Sequence, residues 1–345
     1  MKIVHMADVH LGRFYKGKLT MDLASKRREE LWQTFEKNIK YIRDNGVDVL
    51  LLCGDIYERE HFTSSDMDRF TFLLNTLKET EVFIIAGNHD YIDSNSLILN
   101  CNFNKNIHLF VEEDHFQIND LNLRVYGFSW DKGFDFSKDL KFELDSDFIN
   151  ILMLHGSTLS KEHFYLDKNV LNSLEFDYIA LGHIHIRQKI TDRAYYSGSP
   201  EPVSFKDMGD HGFIEIELKD ELSVAFKGES LRNYIKHEVY INPSMDLYEV
   251  KEIIEDKLKY CQNDFNRIIL KGRYDDIDYL VSFLEKNLNY FYFEIENNLK
   301  VSYDIEELLM KNKDNILGRF IECSKDDEKV LEYGIRALLE AKNEN

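Results

Sequence analysis

Cysteine, proline and positive charge are all scarce in this 345-residue chain, and it has no long apolar run. The 4 cysteines (Cys53, Cys101, Cys261 and Cys323) lie far apart and form no C-x-x-C pair. That excludes a cysteine-based zinc ribbon and points to unpaired thiols in a reducing compartment. With 3 prolines and 16 glycines, collagen-like and linker-rich architectures are out. The longest apolar runs, such as 49–53 and 149–154, fall far short of the ~20 residues a membrane span needs. Asp8 and His10 interrupt what would be the apolar stretch of a signal peptide, so a cytoplasmic protein without membrane attachment is expected. Lys and Arg number 43 against 63 Asp and Glu, a formal charge of -20. Nucleic-acid binding usually draws on Lys and Arg, so here it would need a local basic patch, bound metal ions or a partner.

What is present is an apolar fraction of 43 %, enough to bury a core, in a length that favours two domains over one. Lys2–Ala7, Val47–Cys53, Val82–Ala86, Leu123–Gly127, Ile149–Leu154 and Tyr178–Leu181 are short, apolar and bounded by Gly, Asn or Asp, and predict buried strands. Leu31, Phe35, Ile39 and Ile42 mark one face of a helix that Asn45-Gly46 stops. Alternating strands and helices predict an α/β sheet layered with helices. Gly212–Leu218 and Leu222–Lys227 predict a hairpin across residues 219–221. The pattern changes near Tyr234. Strands at Glu238–Ile241, Arg267–Leu270 and Tyr290–Ile295 alternate with two helices. The first starts at the capping pair Asp246 and Glu249 and shows Leu247, Val250, Ile254 and Leu258; the second shows Ile277, Leu280, Val281 and Leu284. Ile305, Leu308 and Leu309, then Leu331, Ile335 and Leu338, predict two amphipathic helices in the tail.

Five motifs fall at or just past the ends of predicted strands, the edge where open α/β sheets bind ligands. They are Asp8-Val9-His10, Gly54-Asp55, Gly87-Asn88-His89-Asp90, His155-Gly156 and Gly182-His183-Ile184-His185. The i, i+2 spacing of Asp8 with His10 and of His183 with His185 lets both side chains reach one side. Imidazole and carboxylate together suit Mn²⁺, Fe²⁺ or Zn²⁺. Two such ions about 3.5–4 Å apart can clamp a phosphate and generate hydroxide near neutral pH, with Asp55 as the candidate bridging carboxylate. Asp-x-His alone is a weak signal and His-Gly alone weaker; all five in order, each after a strand, are hard to ascribe to turn chemistry. The remaining histidines (His5, His61, His108, His115, His163, His211, His237) are read as surface or satisfied polar groups.

Residues 10–28 hold Arg13, Lys16, Lys18, Lys26, Arg27 and Arg28 against Asp22 alone, beginning at a candidate ligand. They form either a basic rim that guides phosphates to the metals or an ordinary solvated loop and helix start. Phe14 and Tyr15 could stack on bases or pack in the core.

The five motifs resemble the signature of calcineurin-like metallophosphoesterases. Asp8-Val9-His10-Leu11-Gly12 and Tyr196-Ser197-Gly198-Ser199-Pro200 further resemble the SbcD-type DNA double-strand-break repair nucleases, whereas Ala86 before Gly87 and Asp90 after His89 depart from the Arg-Gly-Asn-His-Glu of the serine/threonine phosphatases. The resemblance implies a two-sheet sandwich flanked by helices over residues 1–234, a small α+β DNA-capping domain over 235–299 and a helical tail over 300–345. It implies one metal held by Asp8, His10, Asp55 and His185 and another by Asp55, Asn88, His155 and His183, most often manganese. It implies in-line attack on phosphorus by metal-activated water, with His89 as the acid at the departing oxygen. DNA, an SbcC-type coiled-coil ATPase and a second nuclease subunit are the implied partners, the tail either binding the ATPase or packing on the cap. Two other readings stand beside a DNA exonuclease and endonuclease: a phosphodiesterase for a small substrate, and a non-catalytic metal-binding scaffold. Archaeal and eukaryotic members carry a histidine three residues after the bridging aspartate; here Glu58 stands there. Many members of the superfamily are acidic at that position. Glu58 is therefore expected to accept a hydrogen bond from the His89 ring and favour imidazolium; the alternative is an exposed loop charge that pairs with Arg59 or nothing.

Overall fold

The computed structural model describes residues 1–15, 19–112, 114–130, 142–160, 164–218, 222–228, 230–303, 305–325 and 327–343. The chain divides into two units, Met1–Ile235 and Lys236–Asn345. No helix among the described residues is long and apolar enough to cross a membrane.

Among its described residues the first unit holds two six-stranded sheets. In chain order its strands are β1 (Lys2–Met6), β2 (Val49–Cys53), β3 (Glu81–Ile85), β4 (Ile107–Leu109), β5 (His115–Ile118), β6 (Leu123–Phe128), β7 (Ile149–His155), β8 (Tyr178–Gly182), β9 (Gln188–Lys189), β10 (Ala194–Tyr196), β11 (Phe213–Leu218) and β12 (Leu222–Lys227). One sheet runs β12-β11-β1-β2-β3-β4 and the other β5-β6-β7-β8-β10-β9. Strands β1 to β4 are mutually parallel, as are β6, β7, β8 and β10. Both faces of the central strands are covered, so β2 is buried at every position and reads Val-Leu-Leu-Leu-Cys without a polar break. Leu50 and Leu52 pack with Leu31, Trp32 and Phe35 of α1 (Met21–Asp44) and with Met67 and Phe70 of α2 (Ser64–Asn75). Val49, Leu51 and Cys53 point the other way, into a core shared with Val125, Ile151 and Met153 of the second sheet. The outer face of that sheet packs Leu152, Leu154, Ile179 and Leu181 on Leu171 of α3 (Lys168–Ser173). The fold is thus the expected two-sheet sandwich flanked by helices. The strands the sequence reading misses, β4, β5, β9 and β10, have 2 to 4 residues, too few to show a period.

The second unit takes up β13 (Tyr234–Ile241), α4 (Leu247–Leu258), β14 (Phe265–Tyr274), α5 (Ile277–Asn287) and β15 (Tyr292–Val301), with sheet order β13-β14-β15. Asp246 and Glu249 form the anticipated capping box. The tail departs from expectation. Helices α6 (Ile305–Asn312), α7 (Ile316–Ser324) and α8 (Glu328–Asn343) are found where two were predicted. Gly318 lies inside α7 and weakens its helical signal. Leu317 and Ile321 of α7 pack with Ile335, and Ile305, Leu308, Leu309, Leu331 and Leu338 close around them. The apolar faces expected to meet either the ATPase or the cap are therefore turned, at these residues, on one another.

Part of the basic stretch is also not a rim. Arg27 is fully buried; its guanidinium donates to Glu201 and to Pro202 O, both at 2.7 Å, and to Glu30 at 3.2 Å. Glu201 also accepts from Thr34 Oγ1 at 2.6 Å and from Leu231 N. Arg28 is committed to Gly12 O, His61 O and Asp66. Removing one partner from a buried ion pair costs far more than the pair contributes, because the other charge is stranded. Glu201→Ala is expected to lower the unfolding free energy by about 3 kcal/mol in urea titration; a loss under about 1 kcal/mol would show that this cluster is not what fastens α1.

Candidate metal centre

Every candidate ligand sits at the carboxyl end of a parallel strand. Asp8 and His10 follow β1, Asp55 follows β2, Asn88 and His89 follow β3, His155 ends β7, and His183 and His185 follow β8. The chain leaves these strands through strained turns. Asp8 (φ 54°), His10 (φ 51°), Asp55 (φ 51°) and His183 (φ 104°) are left-handed without being glycine, at roughly 1–3 kcal/mol each. The turns after β1 and β2 are laced together by Asp8 N to Gly54 O, His10 N to Asp55 O and Leu11 N to Ile56 O, at 2.9–3.0 Å. Gly54 is left-handed too (φ 80°), and a Cβ there would run into the His155 ring. A Cβ on Gly87 would meet the Asp55 carboxylate.

Among the described residues three groups of potential ligand atoms result: Asp8 with His10 and His185, Asp55 with His155 and His183, and, sharing His10 with the first, His10 with Glu58 and His89. In the first, His10 Nε2 and His185 Nε2 lie 3.1 Å apart. The other nitrogen of each ring faces a carboxylate, Glu58 at 3.1 Å from His10 Nδ1 and Asp207 at 3.3 Å from His185 Nδ1. In the second group, His155 Nδ1 donates to Cys53 O at 2.9 Å. Its Nε2 then faces Asn88 Oδ1 at 3.2 Å and Asp55 Oδ2 at 3.4 Å, and His183 Nδ1 lies 3.1 Å from the same Asn88 oxygen. With the outer nitrogens of His10 and His155 donating, what their rings turn inward once deprotonated is a lone pair, beside the Asp8 and Asp55 carboxylates. Buried acceptors converging on one another are satisfied only by a cation. The residues therefore fit a pair of divalent ions.

The charges respond accordingly. Burial disfavours a charged His155, yet the Asp55 carboxylate outweighs it and lifts the ring to about 9. Burial likewise opposes ionisation of Asp55, and His155 beside it holds the carboxyl well below the usual range. Burial pushes His10 down and Asp8 up. A bound proton thus occupies the position a metal cation would take.

The expected Glu58–His89 contact is present, with His89 Nδ1 at 2.9 Å from Glu58 Oε2. It lifts His89 above its ordinary value against partial burial. Glu58 does more than the sequence suggests: its Oε1 also faces His10 Nδ1 at 3.1 Å and accepts from Arg13 at 2.8 Å. Arg59 pairs with Asp93 instead. Arg13 reaches the site edge already engaged by Glu58; Lys16 and Lys18 lie outside the described residues. Two supports were not foreseen. Asp90 accepts from the amides of Asp55, Ile56 and Gly87 at 2.6–3.0 Å and so pins two ligand turns together; its signal was its place in Gly-Asn-His-Asp. Asp207, behind His185, sits in no motif. The Tyr196–Pro200 stretch is a brace: Tyr196 Oη donates to Gly156 O at 2.8 Å and Ser199 N to His185 O at 2.9 Å. Of the remaining histidines, His5 is buried, with Nδ1 2.9 Å from Tyr178 Oη across the two sheets, and burial pushes it down to about 3. His163 lies outside the described residues.

A two-sheet sandwich with histidine, carboxylate and amide ligands at its strand ends is the architecture of a metal-dependent phosphoesterase. The chain belongs to the calcineurin-like phosphoesterase family, whose model matches residues 1–187. Over 274 residues it is 25 % identical to "DNA double-strand break repair protein Mre11" of Methanopyrus kandleri, a match covering 65 % of this chain and 59 % of that protein. Over 297 residues it is 23 % identical to "Uncharacterized metallophosphoesterase YhaO" of Bacillus subtilis, covering 79 % of this chain and 72 % of that one. The chain thus spans about three-fifths of the length of the Methanopyrus protein.

A metal ion must displace the His155 proton to use that nitrogen. With the ring lifted to about 9, Mn²⁺ affinity is expected to rise about tenfold per pH unit between pH 7 and 9, and uptake at pH 7 to release protons. Calorimetry in buffers of different ionisation enthalpy reads both; pH-independent binding without proton release would contradict the assignment.

Proposed function

We propose that this chain is a Mn²⁺-dependent DNA repair nuclease that hydrolyses phosphodiester bonds, works as a dimer and is partnered by an SbcC-type ATPase. The observation that carries the hydrolytic part is the convergence of lone pairs at His10–His185 and at His155–Asn88–Asp55. The name of the Methanopyrus relative supports DNA repair as the setting. The mixed imidazole, carboxylate and amide set suits Mn²⁺.

Asp8, His10, Asp55 and His185 would hold one ion, and Asp55, Asn88, His155 and His183 the other. When bound, such ions neutralise phosphate charge and lower the pKa of water. The chain's own residues do the rest. Asp55 Oδ1 accepts from His89 N at 2.8 Å while Oδ2 faces His155, which fixes the carboxylate between the two groups. Glu58 engages His89 Nδ1, so the ring's Nε2 is left to hold a proton for the departing oxygen. The His89 side chain is 43 % exposed and open to substrate. The second unit and its tail are assigned to DNA capping and ATPase binding. Met310, Ile316 and Tyr333 remain exposed on the tail helices and offer that partner an apolar surface.

Asp55→Asn is expected to lower turnover of bis-p-nitrophenyl phosphate and duplex DNA by at least 100-fold, and His89→Ala to abolish DNA cleavage while Mn²⁺ content stays intact. Metal loss in His89→Ala would refute its role as acid. The acid form of His89 exists below its raised pKa, so cleavage should fall as pH rises through it. Glu58→Gln weakens that support, and the alkaline limb should move to lower pH. The profile is read at saturating Mn²⁺, because Glu58 also holds His10; an unmoved limb shows that Glu58 does not tune His89.

A further inference from the structure

Beside the ligand cluster lies a cleft of about 490 Å³ whose walls include His89, Phe14, His61, Arg59 and Tyr91. Its volume is in the range of small-molecule sites. Four of its nine lining residues, Phe14, His61, His89 and Tyr91, carry rings, and the guanidinium groups of Arg13 and Arg59 stand there with the carboxylates of Glu58 and Glu60. Phe14 is 57 % exposed, with its ring centroid 5.0 Å from that of His61. The Arg59 guanidinium lies 4.3 Å over the Tyr91 ring and is fixed there by Asp93 and by Tyr91 O. Tyr15, the neighbour that shared Phe14's stacking expectation, is withdrawn instead: its hydroxyl is buried and burial pushes it up. The chain therefore buries one aromatic of the pair and presents the other at the mouth of the site.

A surface phenylalanine held against a second ring, with a guanidinium plane lining the same cleft, is chemistry for a planar π system. Bases stack on aromatic and guanidinium planes whatever their identity. We infer that this cleft is a nucleobase subsite, with Phe14 as the stacking platform, for the nucleotide on the leaving-oxygen side of the scissile phosphate. The side follows from His89, which belongs both to the cleft wall and to the edge of the ligand cluster. The inference rests on the nuclease reading above and adds what that reading does not contain: one base beside the cut is gripped through its faces, so cleavage needs the base but not a particular sequence.

The test compares a short single-stranded oligonucleotide, the same oligonucleotide with an abasic residue on the leaving side of one phosphodiester, and bis-p-nitrophenyl phosphate, all with Mn²⁺. Stacking of this class contributes roughly 1–3 kcal/mol per base, so at 1.4 kcal/mol per tenfold Phe14→Ala should lower the ratio of kcat/KM at the base-bearing bond to that at the abasic bond roughly tenfold, mainly through KM. Phe14→Trp should restore it. The wild type should lose a similar factor at the abasic bond, and Phe14→Ala should lose little more there. A full abasic penalty in Phe14→Ala, with the base-bearing bond cleaved as well as by the wild type, overturns the subsite alone. Wild-type turnover of bis-p-nitrophenyl phosphate with no oligonucleotide cleavage overturns the nuclease reading and the subsite together.

Discussion

Lone pairs set against lone pairs are the constraint on which the first unit depends. His10 and His185 bring ring nitrogens to 3.1 Å, and Asp55, Asn88 and His155 bring three acceptors almost as close. Protons on rings such as His155 hold the arrangement together until a metal cation displaces them, and the scaffold fixes the groups in place. That hold is visible in the backbone. Four candidate ligands occupy left-handed conformations that cost energy outside glycine; backbone hydrogen bonds between the turns after β1 and β2 hold Asp8, His10 and Asp55 there, and the His183 amide donates to the Asp8 carboxylate. The long apolar strands, buried on both faces, supply the stability against which this strain is set.

The two sheets divide the work. The sheet containing β1, β2 and β3 contributes Asp8, His10, Asp55 and Asn88, and the sheet containing β7 and β8 contributes the three remaining histidines. Neither sheet holds a complete set. The centre therefore exists only when the inter-sheet core is packed, which couples ligand geometry to residues such as Leu51 and Met153 far from any chemistry. Outside the ligands stands a ring of acceptors (Glu58, Asp207 and Cys53 O) that fixes which nitrogen of each histidine faces inward. Glu58 touches both His10 and His89, a candidate ligand and the candidate acid, with one carboxylate.

The candidate ligands could be picked out in the sequence because each strand is a continuous apolar run and each motif begins where that run ends. Chemistry at a strand end needs only local information. What was illegible depends on distances between loops. Glu58 reaches His10 because the turn after β2 is bonded to the turn after β1, and Asp207 reaches His185 from outside every motif. Arg27 read as one more charge in a basic run, since nothing local announces that Glu201 neutralises it in the interior. In the tail the apolar faces of two helices were visible, and α7 between them, interrupted by Gly318, was not read as a helix.

The central claim is that these acceptors are held together to bind cations, and counting the ions tests it directly. Equilibrium dialysis of the whole chain against Mn²⁺, freed of other metals beforehand, is expected to give two ions per chain. One ion at saturation, or none with hydrolytic activity retained in chelator, would contradict it.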